Sequence, residues 1–141
     1  MREVHAFGES LALARRLARA LGSAPPAPVR VHRFPDGESR VRVAPAAPRS
    51  VLVRTFDRPN EKLVEVLLAA DALRRSGARR LVLVAPYLPY MRQDRAFQPG
   101  EPVSQRVVGK LLGGAFDRVL TVEAHLHRIC LLYTTDAADE L

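Results

Sequence analysis

The 141-residue chain has a single cysteine, Cys130, so no internal disulfide can form. It has no long apolar run either. The longest uncharged stretch, residues 81–91, falls far short of the roughly 20 residues a membrane-spanning helix needs. Its first ten residues, MREVHAFGES, lack the apolar core of a secretory signal. A reducing, cytoplasmic setting with no membrane is the expectation. Several common chemical signatures are missing too: there is no Walker A sequence, no dinucleotide fingerprint, no cysteine pair for zinc and no serine elbow. Aromatic residues make up only 6% of the chain, and its basic residues are scattered rather than gathered in a stripe. A nucleic-acid-binding module is therefore disfavoured and ranks third among the readings below.

What is present is an ordinary globular mixture, 48% hydrophobic and 26% charged, in a length suited to one domain. The net charge of +7 favours anionic partners such as nucleotides or sugar phosphates. Lysine is scarce, Lys62 and Lys110 being the only two among 22 basic residues. Arginine's planar fork suits phosphate, yet arginine and alanine are also what a GC-rich genome writes, so charge alone decides little.

Strand-like and helix-like segments alternate along the chain. Residues 4–7 form a short strand candidate, and 9–21 repeat leucine at helical spacing up to Gly22, a suitable residue just past a helix end. After the proline-rich connector SAPPAPV, residues 29–34 and 39–43 alternate apolar and basic residues around Pro-Asp-Gly, which predicts a hairpin near 29–43. Residues 50–54 (SVLVR) predict a buried strand, Asn60 a helix cap, and 61–75 a helix ending at Gly77 with Leu63, Val64, Leu67, Leu68 and Ala72 on its inner face. A strand at 80–85, a helix at 103–112 and a strand at 118–122 complete the pattern. Short β-rich runs separated by helices predict an α/β fold, a mostly parallel sheet flanked by helices. Ligands of such sheets gather at the carboxyl ends of the strands.

Three stretches carry chemistry. In YLPYMRQDRAFQPGEPVS, residues 87–104, Arg92 and Arg95 can fork onto phosphate, Gln93 can read a base edge, and Tyr87 or Tyr90 can pack on a ring. A nucleotide satisfies all three demands; a solvated loop whose arginines pair with Asp94 and Glu101 is the plainer alternative. FPDGES, residues 34–39, is a strong turn signal that needs no function to explain it. In VEAHLHR, residues 122–128, Glu123, His125 and His127 alternate, so an extended chain would project them to one side. A divalent metal held there and hydrogen-bonded structural histidines both remain open.

FPDGE at 34–38, RPNEKLVEVLLAADALRRSGARRLVLVAPYLPYMRQDR at 58–95, EPVS at 101–104 and TVEAHLHR at 121–128 together resemble the N-terminal half of the ribose-phosphate pyrophosphokinase (phosphoribosyl pyrophosphate synthetase) family. The resemblance implies a phosphoribosyltransferase-like domain over residues 1–129 and the transfer of pyrophosphate from magnesium-ATP to ribose 5-phosphate. It further implies that Arg92 and Gln93 contact ATP and that Phe34, Asp36 and Glu38 reach the adenine across a subunit boundary of a homo-oligomer. His125, with Glu123, would then hold Mg2+. Three features depart from the family's usual pattern: Glu123 stands in place of aspartate, Gly100 in place of a basic residue, and HLHR follows in place of a small residue and glutamine.

The family's second domain, with its acidic Thr-Gly loop for ribose 5-phosphate, is not found in these 141 residues. CLLYTTDAADEL, residues 130–141, contains no arginine and resembles a translated sequencing adapter, so a non-native tail on an N-terminal fragment is expected. A non-catalytic regulatory homologue of the synthetase is the alternative.

Overall fold

The structure, a computed structural model, describes residues 2–122. Its main sheet has five parallel strands in the order β2-β1-β5-β6-β7: β1 (Arg2–Ala6), β2 (Ala27–Pro28), β5 (Arg49–Val53), β6 (Arg80–Val84) and β7 (Arg118–Leu120). A separate antiparallel hairpin joins β3 (Arg30–Arg33) to β4 (Ser39–Arg42). Three helices connect the strands: α1 (Leu11–Ala20), α2 (Pro59–Arg75) and α3 (Ser104–Ala115). The expected α/β class, parallel sheet and hairpin are all present.

Alternate residues of a strand face opposite sides, and the core divides accordingly. Val4, Ala6 and Val53 pack with Ala14 and Ala18 of α1. Phe7, Leu52, Leu81 and Leu83 pack with Val66, Ala70 and Leu73 of α2 and with Val108 and Leu112 of α3. Small alanines on the sheet-facing sides of α1 and α2 let those helices approach closely. Gly22 and Gly77, both at positive φ, close α1 and α2 through backbone bonds from Ser23 to Ala18 and from Ala78 to Leu73.

Four local expectations need correction. The α1 segment starts as a 3-10 turn at Gly8–Ser10 before becoming α-helical at Leu11. Asn60 is not the cap of α2; Arg58 holds that position and Pro59, whose missing N–H costs nothing there, begins the helix. The inner face of α2 is Leu63, Val66, Ala69, Ala70 and Leu73, leaving Val64 55% and Leu68 42% exposed. Apolar residues lie on both sides of this helix, so spacing alone could not choose its phase. Finally, part of the proline-rich connector forms β2, where Pro28 is tolerated because the strand lies at the sheet's edge.

His5 is fully buried on β1, and neither ring nitrogen has a hydrogen-bond partner among the described residues. Burial pushes its pKa below the ordinary 6.5, against the opposing pull of Glu3, whose carboxylate lies 3.7 Å from Nε2. A base with a lowered folded-state pKa contributes its full stability above the unfolded value and loses it as pH falls below that value. Thermal stability is therefore expected to decline as pH drops below about 6.5. His5→Leu is expected to reduce that slope and to raise stability at pH 6 by about 1 kcal/mol, since two unpaired buried polar atoms disappear. An unchanged pH profile in His5→Leu would contradict this account of the decline.

Candidate active site

A cleft of about 570 Å³ opens at the carboxyl ends of β5 and β6. The loop after β5 contributes Phe56 to Asn60, the loop after β6 contributes Tyr87, Tyr90, Arg92 and Gln93, and the first turn of α3 contributes Ser104. Parallel α/β sheets bind ligands in this position because the strand-to-helix loops gather there. Another concavity of about 520 Å³ lies over Val51, Val82 and Val84, on the α1 side. Its floor is the apolar sheet face, and its rim carries Arg2, Arg49, Arg80 and Arg118 from the amino-terminal ends of the strands, the end opposite to where the strand-to-helix loops gather.

Among the described residues, Arg58 (φ 53) and Tyr90 (φ 62) are the only non-glycine residues at positive φ, and both line the first cleft. Each such conformation costs on the order of 1–3 kcal/mol and persists only where the surroundings enforce it. Tyr90 is held by donating its hydroxyl to Asn60 Oδ1, a contact across the cleft between the two loops. Arg58 precedes Pro59, whose ring disfavours the right-handed helical region for the residue before it. That Arg-Pro step is the sequence signal that could have pointed to Arg58.

Gln93 is oriented at both ends of its amide. Its Oε1 accepts a hydrogen bond from Ser104 Oγ at 2.6 Å, and its Nε2 donates to Glu101 Oε2 at 3.2 Å. Its backbone carbonyl also accepts from Gln105 N at 3.1 Å, tying the loop to α3. The same Glu101 oxygen accepts from the backbone of Phe97 and Gln98, so this carboxylate closes the loop rather than pairing with an arginine. One lone pair and one N–H of the Gln93 amide stay available to a ligand. Ser104→Ala is expected to leave the fold intact and to weaken ligand binding at Gln93 by about two- to tenfold, the worth of one hydrogen bond. Equal titrations of nucleotide into the two proteins would contradict that role.

Arg92 is exposed, and no carboxylate among the described residues pairs with it. Asp57, the one carboxylate lining the cleft among the described residues, pairs with Lys62, whose hydrogen bond and positive charge keep its pKa below the ordinary carboxylate value. The described part of the cleft therefore presents cationic and amide groups, with aromatic surface from Tyr87 and Tyr90. That set suits a phosphorylated, ring-bearing ligand.

Of the sequence-predicted residues, Arg92 and Gln93 lie together in this cleft. Arg95 does not line it and packs its guanidinium over Phe97 instead, 5.5 Å from the ring centroid. Phe34, Asp36 and Glu38 sit at the exposed tip of the hairpin and do not line the cleft either. Glu123 and His125 lie outside the described residues. Among the described residues, no group of three or more histidine, cysteine, aspartate or glutamate side chains is placed to hold a metal ion.

Fold and cleft together define an α/β domain with an anion-receptive site at its strand ends. Residues 3–115 match the family model described as the N-terminal domain of ribose phosphate pyrophosphokinase, and the chain belongs to that family. A ribose-phosphate pyrophosphokinase of Methanopyrus kandleri is 44% identical over 124 residues, covering 86% of this chain and 42% of its own. One from Halobacterium salinarum is 40% identical over 131 residues, covering 92% of this chain and 46% of its own. Phosphoribosylpyrophosphate synthetase from Mycobacterium smegmatis superposes with a TM-score of 0.74 at 32% identity, covering 88% of this chain and 43% of that one. The chain thus spans less than half the length of these relatives.

Proposed function

We propose that residues 1–129 are the ATP-binding N-terminal domain of a cytoplasmic, homo-oligomeric ribose-phosphate pyrophosphokinase, followed by a non-native tail at 130–141. The reaction joins the 1-hydroxyl oxygen of ribose 5-phosphate to the β-phosphorus of ATP. The bond from that phosphorus to the α–β bridging oxygen breaks, AMP departs, and the hydroxyl proton is lost. Such transfers depend on positioning and charge neutralisation rather than on a protein nucleophile.

The observation that carries this reading is the cleft in which Arg92, unpaired by any described carboxylate, and a doubly anchored Gln93 stand beside two tyrosines. Arg92 neutralises and orients the phosphates, and Gln93 orients the nucleotide. Phe34, Asp36 and Glu38 serve the adenine of a neighbouring copy. With Asp57 engaged by Lys62, the described part of the cleft has no carboxylate to spare for magnesium. The ion would enter on the nucleotide and rely on Glu123 and His125, supplying charge neutralisation.

The parent protein's ribose 5-phosphate site lies in a second domain, and the 141-residue chain is expected to bind magnesium-ATP without making phosphoribosyl pyrophosphate. Nucleotide titration, followed by incubation with both substrates and a product assay, tests both halves. Formation of product would refute the inactivity of the fragment, and failure to bind ATP would refute the site.

A further inference from the structure

A two-stranded hairpin is marginal in water by itself, and β3–β4 shares no backbone ladder with the main sheet. All four residues of β3 are exposed, while Val41 and Val43 give the hairpin only a partly buried apolar footing. Its firm attachment is polar and converges on one carboxylate. Glu65 of α2, 1% exposed, accepts on Oε1 from Arg33 at 3.1 Å and from Ser39 Oγ at 2.9 Å. Its Oε2 accepts from Arg54 at the end of β5, at 2.7 Å.

Arg33 also pairs with Glu61, one turn earlier on α2, at 2.9 Å. Arg54 in turn is fixed by Glu9 at 2.8 Å and stacks 3.7 Å above the ring of Phe7. Burial alone would raise the Glu65 pKa, but the hydrogen bonds from Arg54, Ser39 and Arg33 outweigh it and hold it below the ordinary value, so the carboxylate is ionised.

The two hairpin residues that Glu65 grips are the ones flanking the tip. Arg33 immediately precedes Phe34, and Ser39 immediately follows Glu38. Between them the tip is closed on itself by backbone bonds from Phe34 to Glu38 and from Gly37 to Phe34, and by Asp36 Oδ1 accepting from Glu38 N. The tip is a small closed unit, so the direction in which it presents Phe34, Asp36 and Glu38 is set at its root.

We infer that Glu65 is a positioning residue, aiming the hairpin tip at the adenine of a nucleotide bound to a neighbouring copy by fixing Arg33 and Ser39 to α2 and, through Arg54, to the sheet. This rests on the proposed function for the role of the tip. The clamp itself does not.

The test uses the 141-residue chain and its variants Glu65→Gln and Arg54→Met/Glu65→Leu, the second replacing the buried charges by apolar groups so that the core stays folded. Hydrogen exchange of residues 30–42 is expected to speed up by about tenfold or more in both variants, while protection in β1, β5 and β6 is retained. Affinity for ATP is expected to fall several-fold, and affinity for inorganic tripolyphosphate, which has no adenine, to stay unchanged. Arg92→Ala, by contrast, should weaken both.

Uniform acceleration across the sheet, or an unaltered hairpin, would overturn the clamp. A loosened hairpin with undiminished ATP affinity would overturn its service to the nucleotide. A parent chain that binds neither ligand would count against the proposed function and leave the exchange result to decide the clamp.

Discussion

Arg92→Ala is expected to weaken magnesium-ATP binding by about 10- to 100-fold, the equivalent of one charge-assisted hydrogen bond worth about 1.5–3 kcal/mol. The size follows from the geometry. Arg92 lies in the cleft with no described carboxylate to neutralise it, so its guanidinium is available to phosphate. Its removal breaks no ion pair among the described residues, so thermal stability should change little. Arg92→Lys keeps the charge but not the planar fork and should recover only part of the affinity. Calorimetric titration at fixed ionic strength distinguishes these outcomes, because exposed charges are screened by salt. Equal affinity in all three proteins would remove Arg92 from the site.

Arg54→Ala should be the most damaging substitution to the fold, destabilising the chain by about 3–5 kcal/mol. Arg54 is 5% exposed, and removing it leaves the buried Glu65 without its shortest contact while also losing the stack on Phe7. Replacing both charges, as in Arg54→Met/Glu65→Leu, should cost far less than the sum of the single substitutions, because neither buried charge is then left unpaired. Denaturant unfolding of Arg54→Met, Glu65→Leu and the double variant measures that coupling. Additive losses would mean that the pair contributes no specific interaction.

The parallel α/β plan was legible because β-rich runs and helical repeats alternate, and because two helices end at glycines placed where the chain must turn left-handed. The cleft was legible in part. Arg92 and Gln93 stand out as chemistry in a connector, whereas Asn60 reads as a helix cap and Arg58 is marked only by the proline that follows it. Their roles depend on the loop after β6 coming back across the cleft, which local spacing does not encode.

The α2 face was misphased for a related reason. Val64 and Leu68 are as apolar as the residues that face the sheet, and the buried glutamate on that helix looks like a surface charge until Arg54, Arg33 and Ser39 are brought to it from other elements. Long-range ion pairs leave no periodic trace. The edge strand β2 was hidden for the opposite reason, since a proline beside an alanine argues against a strand and only the edge position permits it.

The most direct test of the central claim is residue-resolved NMR of the labelled 141-residue chain titrated with magnesium-ATP. The account predicts that the largest shift changes fall on residues 56–60, 87–93 and 104–105, on the two loops and the helix start that build the cleft. Changes confined to the concavity beneath α1, or spread evenly over surface arginines, would contradict it.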